Sequence, residues 1–247
     1  MQSSFICSYI ISYTHSQKNL KILKENLNQI MRDPRIQIII VEMGNNSNLE
    51  DQDIRSKHVF LKTHVYNVGW AFNCGHRYAT TDHLFFGDFK YLPNLELIHS
   101  ILNDSSNRHC VYLQNSIGKM SKEQTENRQQ QMNVKKVDSE STGIIYYSKD
   151  GIISVGGWDE NVIGDDLYKL QNIRNTSMLN IAKVDNNTTI EFYVDTIPLN
   201  KELLEYSNKH LDKVSKLDKN KINNYSISQS KKIANSRKYE KIELMIP

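Results

Sequence analysis

His83-Leu84-Phe85-Phe86-Gly87-Asp88-Phe89-Lys90-Tyr91-Leu92-Pro93 is the stretch on which the fold turns. His83 to Phe86 is a short apolar, aromatic run of strand composition, followed by an acidic residue with a proline close behind. A strand ending this way delivers a carboxylate to a sheet edge. There it can reach a ribose hydroxyl, or a divalent ion holding a diphosphate.

The neighbouring segments supply the rest of the sheet. Upstream, Ile36 to Val41 is a continuous apolar run, the pattern of a parallel strand buried on both faces, and it leads into Glu42-Met43-Gly44. Phe5 to Tyr13 is a β-type run and Val59 to Leu61 a short third strand. Between them, Asn19 to Met31 has apolar residues at Leu20, Leu23, Leu27 and Ile30, a helical period that Pro34 ends. Trp70 to Ala79 and Leu95 to Leu102 read as further helices. Strands and helices alternating at this spacing imply βαβ units and a mostly parallel sheet flanked by helices. Ligands in such sheets bind beyond the carboxyl ends of the strands, which brings Glu42 and Asp88 to the candidate site.

Downstream, Gln114 to Glu140 turns to Gln, Asn, Lys, Glu and Ser, the composition of a mobile insert or lid. Gly143 to Tyr147 returns as a strand, Leu167 to Ile173 as a helix, and Ile190 to Ile197 as a strand ended by Pro198. Beyond Asn200 the chain is helical and lysine-rich, with Leu211, Val214 and Leu217 at intervals of three. The expected organisation is one catalytic α/β domain over residues 1–200, carrying the insert at 114–140, and a basic helical extension over 201–247.

Of the 247 residues, 38% are hydrophobic and 24% charged, which suits a globular domain. No stretch approaches the roughly 20 apolar residues that span a bilayer. Met1 to Tyr13 lacks a basic n-region and reads as a strand, not a signal peptide. Cys7, Cys74 and Cys110 have no metal-ligand spacing and favour a reducing, cytoplasmic setting. From Lys201 onward, ten Lys and one Arg stand against four Glu and two Asp, a net +5 in a chain whose total is +3. A basic tail on a near-neutral body suits an anionic partner such as a membrane surface, a phosphorylated lipid or nucleic acid, or simply a solvated helical face.

Two further segments carry chemistry. One is Asn67-Val68-Gly69-Trp70-Ala71-Phe72-Asn73-Cys74-Gly75. The other is Gly156-Gly157-Trp158-Asp159-Glu160 followed by Gly164-Asp165-Asp166-Leu167. Paired carboxylates opening a helix can supply a general base, and they also suit a helix N-terminus for purely structural reasons. Trp158 offers a flat apolar face for a sugar or base, or a core side chain.

In this order, the segments resemble the GT-A glycosyltransferases, especially family 2 and the galactosyltransferase-like group related to it. The resemblance covers roughly residues 5 to 175. It implies a Rossmann-like GT-A domain using a nucleotide sugar as donor, with single displacement and inversion at the anomeric carbon. The Tyr-bearing turn matches Ser12-Tyr13-Thr14, and the nucleotide-binding acidic strand end matches Glu42. The Asn-x-Gly helix start matches Asn73 and Gly75. The late Gly-Gly-aromatic element matches Gly157 and Trp158, which implies contact with the acceptor. The acidic pair matches Asp165 and Asp166, with Asp166 as the base.

One departure stands out. Aligned on Pro93, the Asp-x-Asp metal motif becomes Asp88-Phe89-Lys90. Asp88 keeps the ribose- and metal-facing position, whereas Lys90 replaces the direct ligand of Mn²⁺ or Mg²⁺. An ammonium there can neutralise the leaving diphosphate itself, so metal-independent or weakly metal-dependent chemistry is expected. His210 matches a late metal-ligand histidine or is a surface residue of the tail helix. The expected acceptor is a surface glycan or lipid-linked chain reached by peripheral membrane contact. Hydroxymethylated DNA bases, or a non-catalytic nucleotide-sugar binder, are the alternatives.

Overall fold

The first two strands, β1 (Cys7–Thr14) and β2 (Ile36–Gly44), are buried along almost their whole length, as parallel strands covered on both faces must be. The computed structural model describes residues 5–49, 56–104, 110–114, 116–127, 135–138, 143–184, 189–195, 201–218, 220–222, 224–225 and 242–243. In chain order, α1 (Gln17–Ile30) joins β1 to β2. Then come β3 (Lys57–Lys62), α2 (Val68–Tyr78), β4 (His83–Asp88), β5 (Tyr91–Leu92), α3 (Leu95–Asn103), β6 (Cys110–Gln114), β7 (Ser116–Lys119) and α4 (Lys122–Glu126). The remainder is β8 (Lys135–Asp138), β9 (Ile145–Ser148), α5 (Lys149–Ser154), α6 (Asp165–Met178), β10 (Asn180–Val184), β11 (Thr189–Glu191), α7 (Lys201–Ser215) and β12 (Ile242–Glu243).

The main sheet has the order β10-β6-β9-β4-β1-β2-β3-β12. Strands β4, β1, β2 and β3 run parallel, while β9 is antiparallel to both β4 and β6. Side chains alternate between two cores. Ile10 joins Phe72, Trp158, Leu167 and Val214 beneath α2, α6 and α7. Tyr9, Ile11 and Tyr13 join Leu23, Leu27, Ile98 and Phe89 beneath α1 and α3.

The helix starts follow local chemistry. Ser16, Asn67 and Asn94 cap α1, α2 and α3 by accepting from the backbone N–H three residues on. Neither aspartate caps α6; its cap is Gly164, at φ 64°.

Two expectations change. The stretch 114–140 is not simply a lid, because β7 and β8 pair there and β7 joins β11 and β5 in a second sheet, β5-β11-β7-β8. Strands of four residues whose buried anchors are Ile117 and Met120 leave no readable period; residues 128–134 and 139–140 lie outside the described ones. The strand expected at Ile190 to Ile197 ends at Glu191, and Phe192 to Asp195 are irregular. Among the described residues, no helix is long and apolar enough to cross a membrane.

Candidate active site

Strand order reverses direction between β4 and β1, the crevice where parallel sheets bind ligands. Register sets Ser12 of β1 beside Asp88 of β4 and Tyr13 beside Glu42 of β2. Asp88 is 6% exposed. It accepts from the Tyr66 hydroxyl at 2.7 Å and from the Lys90 backbone N–H at 3.2 Å. Tyr66 in turn sits 3.2 Å from Ser12 Oγ, so the hydroxyls form a relay ending on the carboxylate. Burial pushes Asp88 up from the ordinary carboxylate value, against the pull of Lys90 and the Tyr66 bond. Burial and the Asp88 charge raise Tyr66 well above a normal phenol, so it stays a neutral donor.

Lys90 Nζ lies 2.9 Å from Glu191 Oε1 and 5.0 Å from the Tyr91 ring centre. Glu191 Oε2 also meets Lys119 Nζ at 3.4 Å. Burial disfavours the Lys90 ammonium, but the charges of Asp88 and Glu191 outweigh it and hold the group above the usual lysine value. Above this cluster runs α6. Its Tyr168 hydroxyl is buried, has no hydrogen-bond partner, and feels the charges of Asp88, Lys90 and Asp165. Thus the β4 end, the second sheet and the acidic start of α6 come together around Lys90 and Tyr168.

By sequence, no family model and no curated protein matches the chain. By structure, S. aureus TarS 1–349 in complex with UDP-GlcNAc superposes with a TM-score of 0.60 at 11% identity, over 95% of this chain and 73% of that one. The same fragment with UDP gives 0.58 at 11% identity, over 95% and 72%. Mannosyltransferase PcManGT from Pyrobaculum calidifontis, in complex with GDP-Man and Mn²⁺, gives 0.52 at 9% identity, over 97% and 77%. The chain has a GT-A glycosyltransferase fold.

Within this GT-A domain the sequence candidates divide. Asp88 and Lys90 stand together at the carboxyl end of β4. Asp165 is exposed on the first turn of α6, and Asp166, 14% exposed, pairs with Lys169 at 3.4 Å. Tyr13 is fully buried, its hydroxyl 3.0 Å from His15 Nδ1 and its ring edge-on to Phe89. Glu42 is also fully buried, and its oxygens are engaged by the Asn48 backbone N–H at 3.1 Å, the Ser47 hydroxyl at 3.2 Å and His58 at 3.0 Å. It ties the turn after β2 to the sheet.

Three assignments, Asn73, Gly75 and Trp158, are corrected. Asn73 contacts no cleft; it is 3% exposed and clamps Trp158 and Glu160, accepting from the Trp158 N–H at 2.8 Å and donating to the Trp158 carbonyl at 2.9 Å and to Glu160 Oε1 at 2.8 Å. Gly75 is small because α2 lies directly on the sheet, where an added Cβ would stand 2.3 Å from Ile10. Trp158 is 0% exposed among Phe72, Phe86, Tyr147 and Tyr168, so it presents no stacking face. Gly157, at φ 73°, ends α5 in a left-handed turn, its N–H bonded to the Ile152 carbonyl at 2.9 Å.

His210 is not a surface residue; its side chain is 14% exposed. It lies 3.5 Å from the buried Asp159 and 2.6 Å from the Tyr225 hydroxyl, fastening α7 to the domain. Burial works against the Asp159 charge, but bonds from His210 and Tyr225, with the charge of Arg174, hold its carboxyl down at about 2.

The Asp88–Lys90–Glu191 cluster does not fit a divalent ion. The Lys90 ammonium offsets the two carboxylates whose charges act on it, repels a cation and offers no lone pair. Among the described residues, no group of three His, Cys, Asp or Glu side chains could hold a metal. Tyr66, Tyr168, Lys119 and Glu191 were not legible as site residues; the aromatic ring and charge at each are unremarkable until the topology joins them.

Proposed function

We propose that this protein is a glycosyltransferase moving a sugar from a nucleoside-diphosphate sugar to an acceptor hydroxyl. The observation that carries this reading is the convergence, in a GT-A fold, of the Asp88–Lys90 turn with the Asp165–Asp166 helix start around Tyr168. The donor's ribose and diphosphate lie along the carboxyl edge near Asp88 and Lys90. Asp166 takes the acceptor's hydroxyl proton as that oxygen bonds to the anomeric carbon. The bond from that carbon to the diphosphate oxygen breaks, and the diphosphate leaves with the electron pair. Attack opposite the leaving group inverts the configuration. Lys90 offsets the developing charge on the diphosphate.

For the acceptor we favour a surface glycan or glycolipid. Helix α7 presents Lys201, Lys209 and Lys213 to solvent, interspersed with Glu202, Glu205 and Asp212, and these lysines suit peripheral contact with an anionic membrane. A panel of UDP-, GDP- and CDP-sugars read by thermal shift tests the donor half, because a ligand at 100 times its Kd adds about 2.7 kcal/mol of stability. A melting point that no member of the panel moves counts against the reading.

A further inference from the structure

The second sheet has one feature that the transfer chemistry above leaves unexplained. Glu191 lies at the end of β11, and both neighbouring strands aim a lysine at it. Register pairs Glu191 with Tyr91 of β5 on one side and with Lys119 of β7 on the other. Lys90, one residue before Tyr91, is held twice: its carbonyl accepts from the Phe192 N–H at 2.8 Å, and its ammonium meets Glu191 at 2.9 Å. Glu191 is 14% exposed and Lys90 23%, so the pair is mostly desolvated yet not closed off from solvent. A carboxylate accepting from one of an ammonium's three N–H groups fixes a side chain with four rotatable bonds and leaves donors for a ligand.

We infer that Glu191 is a positioning residue, holding Lys90 with Lys119 beside it as fixed ammonium groups for the donor diphosphate, where a divalent ion would otherwise stand. This rests on the glycosyltransferase reading and goes beyond it, since it assigns the charge neutralisation to protein groups and names what orients them. The charge of Asp88 also supports the ammonium.

Titration calorimetry with UDP and GDP, in EDTA and then in Mn²⁺, tests the inference on the intact protein. Wild-type affinity is expected to be the same in both. Lys90→Ala is expected to weaken binding about tenfold or more, the scale of a lost charge-assisted contact. Glu191→Gln keeps the shape but frees the ammonium. It is expected to raise the donor KM and lower kcat, each several-fold, and Glu191→Asp to recover part of the loss. Lys90→Asp turns the cluster into three carboxylates, so nucleotide binding should vanish in EDTA and return with Mn²⁺. Wild-type binding that EDTA abolishes and Mn²⁺ restores overturns the ammonium assignment and leaves the glycosyltransferase reading standing. Unchanged affinity and KM in Glu191→Gln overturn the positioning role. Neither nucleotide binding in either condition, together with a sugar-nucleotide panel that leaves the melting point unmoved, removes both readings.

Discussion

The Tyr66 hydroxyl donates to Asp88 Oδ2 at 2.7 Å, and this bond, after the charge of Lys90, favours the ionised carboxylate inside a nearly closed sheet edge. Burial raises Asp88, whereas the Tyr66 bond lowers it. Tyr66→Phe removes the lowering contribution, so Asp88 stays protonated to higher pH. The acid limb of the kcat/KM profile should therefore move upward, with a stability loss of about 1–3 kcal/mol for the orphaned acceptor. A profile that keeps its position would mean that Asp88 ionisation is irrelevant to turnover.

Asp166→Asn separates binding from chemistry. The side chain keeps its shape on the first turn of α6 but can no longer take a proton. Transfer should fall by roughly 10²–10⁴ while nucleotide-sugar affinity stays near wild type. Single-turnover rates and calorimetry on the same preparation distinguish this from a binding defect. If transfer persists, the exposed Asp165 is the base.

How much of this the sequence carried depends on the range of the interaction involved. The run at β2 was legible because burial on both faces writes itself as a continuous apolar stretch, and β1 and β4 were legible by their aromatic and apolar strand composition. Asp88 was legible because an acid directly after such a run has to emerge at the sheet edge. Asn73 and Trp158 were legible as a motif but not as to purpose. Their bonds join residues 85 apart, and only the folded chain shows that they face each other in the core and not a ligand. Glu191 was illegible for the opposite reason, since a three-residue strand has no periodicity and its lysine partners come from two other strands.

Trp158 gives a test of that distinction. An exposed stacking residue changed to alanine would raise KM and leave stability alone. A fully buried indole packed on Phe72, Phe86 and Tyr147 instead leaves a cavity, so Trp158→Ala should cost about 3–5 kcal/mol in urea unfolding. A conservative Trp158→Phe should retain much of the fold and, once folded, a near-normal KM.

Gly75→Ala probes the contact between α2 and the sheet. The added methyl would stand 2.3 Å from Ile10 Cγ2 and 3.1 Å from Val41 Cγ2, inside van der Waals contact with two central strands. Overpacking of this kind costs about 1–3 kcal/mol. The expected signature is a lower urea midpoint with donor affinity unchanged at a temperature where the variant remains folded. A selective loss of affinity would instead return Gly75 to the nucleotide site.

Acid unfolding should occur in two windows that report on different buried groups. Burial, with Lys149 and Arg77 nearby, pushes His76 down from 6.5 to about 4. The unfolded chain therefore binds a proton there that the folded chain refuses, and stability falls as pH drops from 6.5 toward 4. Asp159 acts lower down. Its carboxyl is held at about 2 against an ordinary 3.8, so its contribution is present above 3.8 and lost as pH falls through that interval. The size is on the order of 2 kcal/mol. Unfolding free energies measured across both windows should show His76→Gln flattening the upper one and Asp159→Asn the lower one. Because Asp159 receives the Tyr225 hydroxyl and faces His210, its protonation should also loosen α7. Hydrogen exchange in α7 that accelerates below the Asp159 transition, while β1 and β2 stay protected, would trace that release to this one carboxylate.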